Sequence, residues 1–269
     1  MRVLSPTSSL APHNQQTLEE LQRLHSHPSE YPSINHPLSH RYISTNLIIT
    51  DSSKVIESIK AFKRNSVCGP DGFRSSHMQD FLDYSINFNL CNRLIYSITQ
   101  LCNLILEGAL PIALHQIFSS STLVAIKKPQ SHSLRPISIS LFFRRLIGKI
   151  SVNNLRQVIS GYLPPHQIGF MCPFASESAV HCTRSFLSTI PPNHALLLID
   201  FRNAFNFLCR SAMFDAIFKY LPLMYNYAIT CYGHRSIHYF GDKLVFSDQG
   251  TDQGDNLSGV YWSLTTKPL

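Results

Sequence analysis

The chain has 269 residues, 44% of them apolar, with 23 lysines and arginines against 16 aspartates and glutamates and a formal net charge of +7. So high an apolar fraction excludes disorder through most of the chain, as well as collagen-like and low-complexity classes. Seven cysteines with no C-x-x-C pair fit a reducing compartment better than a disulfide scaffold, and with no signal peptide and no apolar run of roughly 18 residues the protein is expected to be intracellular, nuclear or cytoplasmic, and away from membranes.

Residues 1 to 50 are rich in Pro, Ser, His and Asn and read as an arm carrying one docking helix, Leu18 to His25, where Leu18, Leu21 and Leu24 recur behind Thr17 and Glu20 at capping-box spacing. The arm's His25, His27, His36 and His40 have no cysteine near them and lack zinc-finger spacing, so they read as polar linker. From Asp51 the pattern turns regular: Thr50 or Asp51 can cap a helix that repeats Val55, Ile56, Ile59 and Phe62 and stops at Gly69-Pro-Asp-Gly72, a turn that leads into a second helix near Ser76 to Phe81. A longer apolar helix, about Ile86 to Glu107, ends at Gly108. Ser120 to Ile126 reads as a strand delivering Lys127 and Lys128, and Arg135-Pro-Ile-Ser138 precedes a helix of about Leu141 to Val158.

After Pro164-Pro165 come Gln167-Ile-Gly-Phe170, a helix of about Ser176 to Leu187, and the apolar run Ala195 to Ile199 closed by Asp200. That run predicts a central strand buried on both faces, with Asp200 at its carboxyl end; the alternative makes Asp200 the cap of a helix beginning at Asn203. Ile229 to Tyr232, Ser236 to Phe240 and Lys243 to Ser247 read as short strands, the polar segment Gln249 to Asp255 as a loop, and Leu257 to Leu264 as a helix.

The charge excess is local. Residues 51 to 150 carry 12 basic and 6 acidic groups, and no carboxylate lies between Glu107 and Glu177, where Lys127, Lys128, Arg135, Arg144, Arg145, Lys149 and Arg156 fall. A segment that cannot neutralise itself points to a polyanion, with nucleic acid or nucleotide phosphate ahead of a merely solvated basic face.

In this order, Gly69-Pro-Asp-Gly72, Lys127-Lys128 with Arg135-Pro-Ile137, Gln167-Ile-Gly-Phe170, Asp200-Phe-Arg-Asn-Ala-Phe205 and Gln253-Gly-Asp255 with Leu257-Ser258 resemble the reverse transcriptase of non-LTR (LINE-type) retrotransposons. The resemblance covers about residues 50 to 266. It implies an α+β right-hand polymerase with helix-rich fingers over residues 51 to 194 and a partial palm over 195 to 269, built on a small, mainly antiparallel sheet, with the thumb and the third palm motif's Asp-Asp pair absent. It further implies an RNA template, a DNA primer and deoxynucleotides as partners, and Mg²⁺, or Mn²⁺, as cofactor.

By the same resemblance Asp200, with the carbonyl of Phe201, is the first metal ligand, since two-metal nucleotidyl transfer needs hard carboxylate oxygens. Phe205 excludes a ribose 2′-hydroxyl, Lys127 or Lys128 and Arg135 hold the triphosphate, and Gln253 and Gly254 let backbone approach the nucleotide. Arg144, Arg145 and Lys149 form a nucleic-acid track. Asn256 and Gly259 stand where the family carries proline, and one carboxylate cannot hold two metals tightly, so the isolated chain is expected to be inactive. The alternatives are a non-catalytic nucleic-acid-binding module and a functionless transposon relic.

Overall fold

The computed structural model describes residues 9–26, 49–82, 87–128, 133–163, 167–170 and 172–267. Of the arm's histidines, His27, His36 and His40 lie outside the described residues, as do Pro164-Pro165 and the expected helix start at Ile86. The fold is α+β, with ten α-helices and one four-stranded mixed sheet among the described residues.

Helix α1 (Gln15–His25) is capped by Asn14, whose side chain accepts the N–H of Thr17, three residues earlier than the expected Thr17 cap. Helix α2 (Ser52–Lys60) is capped by Asp51, which decides between the two candidates Thr50 and Asp51, and α3 (Ser75–Phe81) and α4 (Phe88–Leu106) follow. Helix α5 (Ile112–Phe118) precedes a hairpin of β1 (Ser121–Lys127) and β2 (Leu134–Ser140), then α6 (Phe142–Tyr162) and α7 (Ala175–Thr189). Helices α8 (Arg210–Tyr220) and α9 (Tyr225–Tyr232), the hairpin β3 (Ser236–Phe240) and β4 (Lys243–Ser247), and α10 (Ser258–Thr265) complete the chain.

The strand order is β2-β1-β3-β4, antiparallel except where β1 runs parallel to β3 at Ser121 and Thr122. Beyond that short contact, the same edge of β1 is filled by the segment before α1: Ala11 donates to the carbonyl of Ala125 and Lys127 donates to that of Ser9, both at 2.9 Å. Helix α1 lies across one sheet face, where Leu18, Leu21 and Leu24 meet Leu123, Ala125, Leu134, Phe240 and Val245 in a small core. A larger core unites α2 to α6 with α8 to α10, from Val55 to Leu264, so it joins residues on both sides of position 194.

Two expectations are corrected. Ala195 to Ile199 forms no strand, and Leu197, Leu198 and Ile199 are 78%, 84% and 70% exposed. A run becomes a strand only by pairing with another, and among the described residues the run 195–199 pairs with none of the four strands; both edges of β1 are taken, and the outer edge of β2 is met by Gln253, whose carbonyl accepts the N–H of Ser138 at 2.9 Å. Ile229 to Tyr232 belongs to α9, because Tyr227, Ala228, Cys231 and Tyr232 enter the core at helical spacing; a four-residue apolar run cannot by itself distinguish the two periods.

Candidate nucleotide and nucleic-acid site

The antiparallel register sets Lys127 opposite Leu134 and Ile126 opposite Arg135. Paired residues share a face and neighbours alternate, so Lys127 stands on the α1-covered face and Arg135 on the other. Lys128 is the lysine that continues on Arg135's side, and its N–H still bonds the carbonyl of Ser133 at 3.1 Å.

The second landmark contacts this hairpin directly. Gly254 has φ +136, and a Cβ there would collide with the carbonyl oxygen of Ser138; only glycine permits both the conformation and the approach. A Cβ on Gly69 would come within 2.5 Å of the Ser140 carbonyl, and Asp71 accepts the N–H of Phe142 at 3.0 Å, satisfying an orphan donor of α6. Phe170 packs against Gly259 so closely that a Cβ would lie 2.6 Å from its ring. The rings of Phe201 and Phe205 meet Trp262 on α10 edge-on, at centroid distances of 5.2 and 6.4 Å.

Three of the four cations of α6, those of the expected nucleic-acid track, do different things. Arg144 is buried, and its guanidinium reaches Asp252 at 3.1 Å and Asp255 at 3.0 Å while donating to the carbonyl of Ser119 at 3.0 Å. Placed among carboxylates inside the protein, it is not presented to a phosphate backbone. Arg145 donates to the carbonyl of Val67 and Lys149 to that of Ala61, both at 2.9 Å, with the Lys149 ammonium 4.8 Å from the Phe62 ring centroid. These two remain half-buried on the surface and tie the 61–67 segment to α6.

Around Arg144 a polar network threads the interior. The Tyr232 hydroxyl donates to Asp255 at 2.6 Å and accepts the N–H of Asp252 at 3.2 Å. Arg210, also buried, donates to the carbonyls of Gly250, Tyr232 and His234. His238 Nδ1 and the Ser121 hydroxyl are 2.6 Å apart, and Nε2 faces Asp252 Oδ1 at 3.5 Å. His25 donates from Nδ1 to the carbonyl of Leu21, and its Nε2 accepts from Asn206 at 3.2 Å. Burial pushes His238 down to about 4 and also lowers His25, so both rings are neutral near pH 7. Burial opposes the Asp252 carboxylate, but His238, Arg144 and Arg210 hold its pKa below the ordinary value.

Asp200 is exposed, and the segment after it is a turn over residues 202–207 rather than a helix, so Asp200 caps no helix at Asn203. Its carboxylate and the Phe201 carbonyl could contribute to one Mg²⁺ site. Asp252 and Asp255 are committed to Arg144, and no cluster of three metal-binding side chains occurs among the described residues. This donor set does not fit a two-ion centre.

Arg210, Tyr232, His238 and Ser121 were invisible as site residues in the sequence, since each acquires its role through a partner far along the chain. The recurrence of Asp252 and Asp255 in one loop was the signal that existed, and it pointed to charge without indicating burial. No protein-family model matches the chain.

Proposed function

We propose that the chain is the fingers and the opening part of the palm of a reverse transcriptase of the non-LTR retrotransposon type, acting on an RNA template, a DNA primer and deoxynucleoside triphosphates. The supporting observation is that the landmarks which resemble that family pack against residues flanking one another: Gly69 and Asp71 meet Ser140 and Phe142 just after Arg135-Pro-Ile137, Gln253 and Gly254 meet Ser138 beside the same motif, Phe170 meets Gly259, and Phe201 and Phe205 meet Trp262, with Gly259 and Trp262 both just after Leu257-Ser258.

In this reading Arg135 grips the triphosphate with Lys128, Gln253 and Gly254 bring main chain toward the nucleotide, Phe205 guards against a 2′-hydroxyl, and Arg145 and Lys149 contact nucleic acid at the surface. Asp200 and the Phe201 carbonyl would hold Mg²⁺, which supplies charge stabilisation to phosphoryl transfer when bound. With one carboxylate offered there, the chain alone binds primer and template without extending them. The engagement of Asp252 and Asp255 by Arg144 also favours a second reading, a nucleic-acid-binding module without catalysis.

The test is binding of a labelled DNA primer annealed to an RNA template, followed by extension with Mg²⁺ and then Mn²⁺. Salt-sensitive binding without extension is expected, and Asp200→Asn should leave that binding intact. No binding at low salt removes both readings, and templated synthesis removes the second.

A further inference from the structure

Helix α4 is apolar on two sides. Ile95, Ile98, Cys102 and Ile105 enter the large core, yet Leu90, Leu101 and Leu104 on the outer side are 58%, 37% and 40% exposed. Its 19 residues contain a single charge, Arg93. A surface helix ordinarily turns a charged or polar face to water, and a helix that is apolar all round is covered all round. The outer residues are also ordered. Leu90, Leu94, Ser97, Leu101 and Leu104 recur at intervals of 4, 3, 4 and 3, within roughly 80° of arc on a helix, and that spacing is the seam of a coiled coil. Ser97 does not interrupt it, because its hydroxyl already donates to the carbonyl of Arg93 at 3.0 Å.

The polar residues beside the seam select its occupant. Arg93, Gln100 and Glu107 follow one another at intervals of seven along one flank, all exposed, and neither Arg93 nor Glu107 joins an ion pair formed among the described residues. One cation supplies neither the basic face of a membrane-surface helix nor a phosphate track, and no helix among the described residues is long and apolar enough to cross a membrane. A second copy of α4 running antiparallel fits. Stacking Leu94 on the partner's Leu104 and Ser97 on the partner's Leu101 sets Arg93 beside the partner's Glu107, and two-fold symmetry repeats each contact. Gln100 then meets the partner's Gln100 on the axis, where two amides can exchange hydrogen bonds. A parallel pair would bring like charges level with each other at both ends.

We infer that α4 joins two copies of the chain as an antiparallel helix pair, with Leu94, Leu101 and Leu104 in the seam and two Arg93–Glu107 ion pairs fixing its direction. Two helices in contact over about 28 Å make an interface at the small end of the stable range, so the dimer should dissociate in the micromolar range. The interface uses no residue of the proposed nucleotide site, and the inference stands whether or not the polymerase reading does.

Sedimentation velocity of the full chain over a micromolar concentration series tests it, and a concentration-dependent monomer–dimer equilibrium is expected. Leu101→Glu combined with Leu104→Glu should abolish the dimer, and circular dichroism melts confirm that this variant folds. Arg93→Glu and Glu107→Arg should each weaken association roughly tenfold, since two attractive contacts become repulsive, and the two changes together should restore it. A variant that merely damages folding would not be rescued by a second charge change. A chain that stays monomeric throughout the series overturns the inference. So does a dimer indifferent to the folded double-glutamate variant, because another face would then join the copies, and so does a charge exchange that fails to restore association. Primer-template binding and extension, measured separately, decide the polymerase reading and leave this one untouched.

Discussion

The guanidinium of Arg144 and the carboxylate of Asp252 stand 3.1 Å apart with both side chains almost wholly sealed from solvent. Asp255 joins the same guanidinium from 111 residues farther along the chain than Arg144, so one cation fixes both acidic ends of the Gln253-Gly254 loop. A buried pair of this kind adds little over apolar packing, but removing one member strands the other.

Arg144→Ala is accordingly expected to lower folding stability by about 3–5 kcal/mol, because two carboxylates lose their counter-charge in the interior. Arg144→Met combined with Asp252→Asn and Asp255→Asn should recover part of that loss. Urea denaturation measures both, and a loss under about 1 kcal/mol for Arg144→Ala would show that the loop is held by its main chain instead.

Glycine substitutions separate close approach from conformation. Gly72 has φ +65 with open space where a Cβ would go, so Gly72→Ala should cost about 1–2 kcal/mol. At Gly254 the same change adds a collision with main chain on β2, and the cost should exceed that at Gly72 by a further ~1–3 kcal/mol. Equal melting-temperature shifts for the two variants would mean that the loop moves off β2 freely.

Stability should fall on mild acidification. His238 is pushed down to about 4 in the folded protein, below its ordinary 6.5, so the unfolded chain binds the proton first and folding loses free energy as pH drops from about 6.5 toward 4. The full effect of that one group is about 3 kcal/mol, and the lowered pKa of His25 acts in the same direction. Denaturant midpoints at pH 7.5, 6 and 5 should show the decline, and His238→Asn, which retains an acceptor for Ser121, should flatten it. A slope unaltered by that substitution would assign the acid sensitivity elsewhere.

Lys127 and Arg135 leave opposite faces of the hairpin, and this separates their contributions to triphosphate binding. Arg135→Ala should weaken binding of a deoxynucleoside triphosphate roughly ten- to hundredfold, the loss expected for a charge-assisted hydrogen bond. Lys127→Ala should change it less than about twofold, as for an exposed charge outside the site. Calorimetric titration distinguishes them, and equal losses would require the hairpin to twist both cations toward one ligand.

The readable parts of the fold were those specified by near neighbours. The Asp51 cap, the spacing of Val55 and Ile59, and the alternation around Gly241-Asp242 each lie within one element, and α2, β3 and β4 formed where that pattern places them. Strand β2 is obscured by Pro136, which is tolerated because β2 is an edge strand. Arg144 and Arg145 are identical in sequence terms yet lie about 100° apart around α6; one turns into the core and the other does not, a difference decided by Asp252 and Asp255 rather than by local pattern. For Ala195 to Ile199 the run specifies hydrophobicity, whereas a strand also needs a partner strand to pair with.

The packing of α1 imposes an order of events during synthesis. Ser26 at its end accepts a hydrogen bond from Gln249, 223 residues later, and Leu21 and Leu24 rest on Val245. At roughly 5–20 residues per second the ribosome needs about 10–45 s to make the interval. An 11-residue helix is marginal on its own, and it has no sheet to settle on until β1 and β2 are made, and only the part of that surface carrying Leu123, Ala125 and Leu134 until Phe240 and Val245 follow. The sheet face that it covers is thus completed by a segment translated before every strand.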